Sequence, residues 1–437
     1  MSACTDQKRR VLIFVENLPV PLDRRVWSEA TALVEAGYEV SVICPMGDGA
    51  SAKHERLDGV NIFRHPLPIE ARGGLGYLLE YAVALFHELR LSFLVSRRVG
   101  FDVIHACNPP DLIFLVALVH RLFGKRFLFD HHDLNPELYE AKFGRRDFLW
   151  RVLRLCERAT FGLADVSIAT NESYRRIAIE RGGMPEDKVF VVRSGPNLAR
   201  VRPTDADPSW RNGRRFLVGY VGVVGQQEGL DLLLESVHHI VRERAREDVQ
   251  FVVVGGGPEL AAVKTLAAQM HLDDYVTFTG RVEDATLLSA LSTADVCVNP
   301  DRPNAMNDLS TMNKIMEYMA LGKPVVQYDL VEGRVSAQEA SLYATNTDTS
   351  DFGDKILTLL DQPDLRRSMG DFGQRRVTEH LSWSAEKPKL LKAYDCIFSG
   401  AGMREKASST PGRGAVPYRA VLEGTATTSH EADRLEA

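Results

Sequence analysis

Short apolar runs alternate with amphipathic stretches along most of the chain. Residues 11–15 form the first such run. Residues 25–36 follow, with Val26, Ala30, Leu33 and Val34 at helical spacing and Gly37 as a stop. Further runs at 40–44, 60–63, 103–106, 127–129, 166–169 and 189–192 predict strands, with helices between most of them. The strand-like runs are apolar throughout, not alternately polar. That is the pattern of a parallel sheet covered by helices on both faces.

Residues 195–215 break the rhythm. Pro196, Pro203, Pro208, Asn212 and Gly213 among charged residues read as a linker. The alternation restarts with strands predicted at 216–224, 251–254, 276–279, 296–299 and 325–328. The expected architecture is α/β: two doubly wound domains, residues 1–200 and 201–382, then a helix at 383–399. Residues 400–437 are rich in Ser, Thr, Gly and Ala and read as a disordered tail.

A chain of 437 residues exceeds one ordinary hydrophobic core, in keeping with two domains. The formal charge is -6, with the acidic excess in the second half, which argues against broad nucleic-acid binding. The faintly basic first half leaves room for an anionic surface or substrate. The six cysteines form no CxxC motif, and Cys44, Cys107 and Cys297 lie in apolar runs. Buried thiols in a reducing compartment account for them. Residues 1–10 have no apolar signal core, and the longest apolar run, 112–119, is too short to span a bilayer. A cytoplasmic protein is expected.

Several stretches bear on chemistry. Gly255-Gly-Gly257 after a strand invites comparison with a dinucleotide fingerprint, but its last position is Leu260, so it reads as a tight strand-to-helix turn. Asp205-Ala-Asp207 reads as solvated surface. In His131-His132-Asp133 neighbouring side chains diverge along extended backbone, so no metal is expected. His238 and His239 fall inside a helical pattern and read as structural. The loop from Gly219 to Gly229, with Gly222 and Gly225 between, joins a strand to a helix. Backbone N–H groups at such a place bind phosphate oxygens. Ser310 and Thr311 can cap a helix running to Leu321, on which Lys314 and Glu317 share a face. Asp23, Arg24 and Arg25 sit between the first strand and first helix, at the strand end where open α/β sheets bind ligands.

In this order, the stretches around Asp23–Trp27, Phe129–Asp133, Ala169–Asn171, Val192–Pro196, 222–229, Thr279–Arg281 and 314–326 resemble family 4 of the retaining glycosyltransferases. The resemblance covers about residues 10–398. It implies the GT-B fold, two Rossmann-like domains facing a central cleft, with the last helix crossing back to the first domain. It also implies a nucleotide-diphosphate-sugar donor, UDP- or GDP-linked, on the second domain. A glycan, lipid-linked or small-molecule acceptor would dock on the first, near Asp23, Arg24 and Arg25. Neither metal nor cofactor is expected, and the pathway would be cell-surface polysaccharide or glycoconjugate synthesis.

By that resemblance, Glu317 matches the second Glu of the Glu-x7-Glu motif and binds the ribose. Gly280, Arg281 and Val282 fall where the base is held, and His132, followed by Asp133, contacts the donor sugar. Gly222, Gly225, Ser310 and Thr311 complete the donor side. The chain departs from the family in three places. The first motif Glu falls at Leu309, beside Asp308, and the two diphosphate-binding cations of the loop fall at Val223 and Glu228. Lys314, aided by Arg193, is the expected replacement. Competing readings are a GT-B sugar-nucleotide epimerase and a non-catalytic sugar-nucleotide-binding protein. Finally, Arg145, Arg146, Arg151 and Arg154 among Phe143, Phe148 and Trp150 suit peripheral contact with an anionic membrane. The alternative is that Leu149, Val152, Leu153 and Cys156 bury against the sheet.

Overall fold

The structure is a computed structural model that describes residues 8–47, 49–66 and 74–399. The described chain divides into two compact units. One runs to Ser194 and regains the chain from Glu386 onward; the other is Gly195–Ala385. The tail at 400–437 lies outside the described residues.

The first unit is built on eight strands: β1 (Arg10–Phe14), β2 (Glu39–Pro45), β3 (His54–Leu57), β4 (Val60–His65), β5 (Val103–Cys107), β6 (Arg126–His131), β7 (Val166–Ala169) and β8 (Val189–Val191). Their order is β3-β4-β2-β1-β5-β6-β7-β8, and only the β3–β4 pair is antiparallel. The chain leaves β1 toward β2 and later returns to its other side as β5. The order therefore reverses between β1 and β5, where crevices open at the strands' carboxyl ends. β3 was absent from the sequence expectation. His-Glu-Arg-Leu carries no apolar run, and it pairs because Asp58 and Gly59 both take positive φ, as a two-residue hairpin requires.

The second unit holds β9 (Phe216–Val221), β10 (Val249–Val254), β11 (Val276–Gly280), β12 (Val296–Asn299), β13 (Val325–Tyr328) and β14 (Ser341–Ala344), in the order β11-β10-β9-β12-β13-β14, all parallel. β9 explains its unbroken apolar run. Phe216, Val218 and Tyr220 enter the core on one face, while Leu217 and Val221 enter the core on the other. The strand stops at Val221, short of the expected 224, and releases the glycine loop. Here the switch point lies between β9 and β12.

Residues 195–215 are not a loose linker. Trp210 packs on the second unit's core and its indole N–H donates to Ser289 Oγ at 3.1 Å. Arg211 pairs with Asp295 at 2.7 Å. The last helix, Trp383–Ser399, buries Ala393, Tyr394 and Ile397. Among the described residues no helix is long and apolar enough to cross a membrane.

Candidate functional site

At the carboxyl edge of the first sheet, Asp130 closes β6 with a fully buried carboxylate. Arg25 grips it from the helix Arg24–Glu35 that follows β1: Nε donates to Oδ2 at 2.8 Å and Nη2 to Oδ1 at 2.7 Å. Nη2 also meets Glu29 Oε1 at 3.2 Å, and Nη1 donates to Val192 O at 2.9 Å and Ser194 Oγ at 3.1 Å. Four of the five N–H donors of the guanidinium thus make hydrogen bonds inside the unit, and its charge is also paired with Glu29. This corrects the expectation that Arg25 faces an acceptor. Asp23 is likewise structural: its Oδ1 accepts from Val26 N at 3.0 Å and caps the helix Arg24–Glu35. Of the three residues only Arg24 is solvent-exposed.

Burial would raise Asp130's pKa, but the charge of Arg25 and the neighbouring imidazoles of His105 and His132 hold it well below the usual carboxylate range. His132 Nδ1 lies 3.3 Å from Asp130 Oδ2. Burial works against its charge, yet the bond and charge of Asp130 prevail and lift His132 to about 9. His132 is therefore a cation at neutral pH. His131, one residue back, points into the rings of Phe129, Phe161 and Tyr174, and burial drops it to about 3. The alternation of strand side chains separates a core histidine from a site histidine. Asp133 is half-buried, and burial raises its carboxyl.

Asn108 sets this turn. Its Oδ1 accepts from the backbone N–H of His132 (3.0 Å) and Asp133 (3.2 Å), and its Nδ2 donates to Asp133 O (2.7 Å) and Asp111 Oδ1 (3.0 Å). Sequence reasoning missed Asn108, Glu29, His105 and Asp130. The only local signals were the Arg25–Glu29 spacing of four and an Asn preceding Pro109-Pro110.

Glu29, His105, Cys107 and Asp130 bring four ligand-type atoms within 4.8 Å of one another. They do not fit a metal. Arg25 already supplies the cation between Glu29 and Asp130, and burial drives the Cys107 thiol well above its ordinary value, away from the thiolate a metal needs.

In the second unit the glycine loop leaves β9 at the switch point. Gly222 N donates to Val254 O at 3.1 Å and Val224 N to Gly256 O at 3.0 Å. Gly255 and Gly257 have no room for a side chain there: a Cβ would lie 1.8 Å from Gly222 O and 2.4 Å from Val224 O respectively. The Gly255–Gly257 run is thus a close-packed turn under the loop, with no dinucleotide geometry required. Gly229 ends the loop at φ +63 with Pro300 O against its Cα.

Tyr318 fixes the helix Asn313–Ala320 across the switch point. Its hydroxyl accepts from Val221 N at 2.8 Å and donates to Val298 O at 3.2 Å. Lys314, one turn earlier, therefore reaches the loop: a Cβ at Gly222 would lie 3.5 Å from Lys314 Cε. Lys314 Nζ donates to Asp301 Oδ1 at 2.8 Å and lies 5.0 Å from the Tyr220 ring centre. Burial opposes the charge, but Asp301 and Tyr220 raise its pKa. Glu317 Oε1 accepts from Arg200 Nη2 at 2.5 Å, and Arg200 also bonds Asp284 at 3.1 Å.

The remaining expected residues divide. Gly280 (φ +69) accepts from Gly255 N at 3.0 Å, and Arg281 is exposed beside it. Val282 packs on the core. The helix begins at Asn313, with Met312 as a boundary residue lacking a side-chain cap. Ser310 and Thr311 therefore do not cap it; Ser310 Oγ instead closes the preceding helix on Met306 O at 2.7 Å. Asp308 Oδ1 accepts from Val331 N at 2.8 Å, which holds the neighbouring segment. Arg193 belongs to the first unit, its backbone N–H donating to Glu386 Oε2 at 3.0 Å.

Residues 22–200 match the family described as Glycosyltransferase Family 4, and residues 215–362 the one described as Glycosyl transferases group 1. Alpha-D-kanosaminyltransferase of Streptomyces kanamyceticus is 28% identical over 348 residues, 75% of this chain and 86% of its own length. Phosphatidyl-myo-inositol mannosyltransferase of Mycolicibacterium smegmatis is 24% identical over 402 residues, 91% of this chain and 95% of its own. Among solved structures, sucrose-phosphate synthase from Thermosynechococcus elongatus has TM-score 0.76 at 20% identity, covering 90% of this chain and 100% of that one. Anabaena HepE in complex with UDP-glucose has TM-score 0.66 at 13% identity, covering 88% and 99%. The structural likenesses are likenesses of fold.

Proposed function

This chain belongs to glycosyltransferase family 4 and is a glycosyltransferase with the two Rossmann-like domains of the GT-B fold, and we propose that it acts with retention of anomeric configuration and without a metal. Its donor on this reading is a UDP- or GDP-sugar, its acceptor a glycan or a lipid-linked sugar of surface polysaccharide or glycoconjugate synthesis. The observation that carries the reading is the meeting of the glycine loop with Lys314 at the β9–β12 switch point, with Glu317 one turn further along the same helix. Ligands of open α/β sheets bind at such a point, and loop N–H groups suit phosphate oxygens.

On this reading the donor diphosphate lies on the loop and Glu317 accepts from the ribose hydroxyls. Lys314 and loop N–H groups stabilise the charge that builds on the leaving diphosphate, the largest part of the catalytic work. An oxygen of that diphosphate takes the acceptor's proton, so no protein base is needed. In the first unit, cationic His132 donates to a sugar hydroxyl.

A lipid-linked acceptor is supported by the printed name of the phosphatidyl-myo-inositol relative and by an apolar surface on the first unit. Neighbouring helices Phe114–Arg121 and Phe148–Leu163 present Leu118 and Leu155 to solvent; Phe148 is 76% exposed, and Leu122, just past the first helix, 81%. The expected arginine face is weaker. Residues 143–154 are broken at Gly144 (φ +66). Arg145 pairs with Asp147 (2.9 Å), Arg146 with Glu140 (2.8 Å), and Arg146 and Arg154 flank the Trp150 ring.

The test is incubation with a panel of UDP- and GDP-sugars with and without acceptor. Nucleoside diphosphate released only with acceptor, an unchanged anomeric signal by NMR, and activity in EDTA are expected. A sugar altered without acceptor points to an epimerase; inversion or EDTA-sensitive transfer overturns the mechanism.

A further inference from the structure

The glycine loop that receives the donor diphosphate on the foregoing reading already holds an anion of its own. Gln226–Glu228 form a single 3-10 turn, which folds the Glu228 side chain back over the loop. A Cβ built on Gly225 would lie 2.7 Å from Glu228 Oε2, so the carboxylate sits directly against the glycine that precedes the turn. Glu228 is half-buried. Burial raises its pKa, Asp301 adds to the rise, and the nearby charge of Lys314 and the backbone N–H groups of Gly225 and Glu228 oppose it. These are the groups that would serve a phosphate.

The charge balance of the place is unfavourable to a second anion. Lys314 is bound to Asp301 at 2.8 Å. Asp301 is 2% exposed, and its Oδ2 has no hydrogen-bond partner. Lys314 therefore faces two carboxylates, Asp301 and Glu228, before any ligand arrives, while Arg302, whose Nε donates to Gln226 O at 3.3 Å, is already paired with Asp231. A diphosphate entering beside an unmoved Glu228 would meet like charge at close range, which opposes binding.

We propose that Glu228 is a built-in competitor of the donor diphosphate: its carboxylate lies against Gly225 of the loop in the field of Lys314, and nucleotide binds by displacing it. The inference rests on the donor site assigned above. Glu228 then sets a weak affinity for nucleoside diphosphate and returns to its place as that product leaves. Gly225 takes part because only a residue without a side chain leaves space for the carboxylate.

The experiment is calorimetric titration of the full chain and of Glu228→Gln and Glu228→Ala with UDP, GDP, uridine, guanosine and inorganic pyrophosphate, in EDTA. Thermal unfolding of each variant reports the fold. Glu247→Gln makes the same charge change on an exposed part of the unit and serves as control. Pyrophosphate and the preferred nucleoside diphosphate are expected to bind about tenfold or more tightly to both Glu228 variants, with nucleoside affinity and the control unchanged. Unchanged or weakened pyrophosphate binding in a folded Glu228→Gln overturns the proposal. So does nucleotide binding that needs a divalent cation and is lost in that variant, which would make Glu228 a cation ligand. If no nucleotide or nucleoside binds any form while pyrophosphate still tightens, the donor reading fails and the assignment of Glu228 stands.

Discussion

His105 Nδ1 and the Tyr394 hydroxyl lie 2.8 Å apart, both fully buried, across 289 positions of sequence. The bond joins β5 to the last helix within the first unit. The helix gains further holds there: Lys387 pairs with Glu35, and Tyr394 meets the Tyr38 ring edge-on at 5.6 Å. Tyr394→Phe keeps the ring and leaves His105 short of a partner. It should cost about 1–2 kcal/mol, read as a lower urea midpoint with an unchanged slope. An unaltered midpoint would mean that water replaces the hydroxyl without loss.

Arg24 and Arg25 are neighbours with different duties. Arg25→Ala removes the cation between Asp130 and Glu29 and should destabilise by about 3–5 kcal/mol, because it strands buried carboxylates. Arg24→Ala should leave the urea midpoint within about 0.5 kcal/mol, as surface changes do. If Arg24 meets the acceptor, KM for acceptor rises in that variant while KM for donor holds. A midpoint for Arg25→Ala equal to wild type would contradict the buried clamp.

Lys314 and Glu317 separate the two halves of the donor. Lys314→Ala should weaken nucleoside diphosphate at least about tenfold while nucleoside changes little, since only the former presents phosphate. Glu317→Ala should weaken both alike, and Glu317→Gln less so. Titration calorimetry decides. Equal losses for both ligands in Lys314→Ala would remove it from the diphosphate.

The pH response follows from His132. Its folded value of about 9 lies above the ordinary 6.5, so the fold holds the proton. The stabilisation is complete below pH 6.5 and is lost as pH rises through 9. Glu29 acts in the same direction lower down: burial lifts it from 4.5 to about 7, so its contribution fades across that interval. Urea midpoints should therefore fall between pH 6.5 and 9, by on the order of 2 kcal/mol. His132→Gln should flatten that limb. Turnover should show an alkaline limb near 9 that moves to lower pH in Asp130→Asn, and a limb that stays in place would show that His132 is not the group observed.

Membrane contact should depend more on apolar side chains than on charge. Co-sedimentation with anionic liposomes should survive high salt in large part, and fall sharply in Leu122→Ser/Phe148→Ser/Leu155→Ser. Binding abolished by salt alone would restore the arginines to the leading role.

What the sequence by itself determined is the periodic part of this protein. Apolar runs covered on both faces, helices between them, and a proline-rich break are local signals, and they specified two parallel α/β units with glycine loops at strand ends. Elements without such a run, β3 and β14, went unread, as did the ordering of residues 195–215 by Trp210 and Arg211. Tertiary structure alone decided the partners. Arg25 and Lys314 look equally available in sequence, yet the fold brings Asp130 to one from 105 positions away and Asp301 to the other from 13. His131 and His132 differ only in the face of the strand they occupy. The reason is physical: a charged group buried in a fold must find its counter-charge there, and which residue supplies it depends on how distant strand ends converge, a property no local pattern carries.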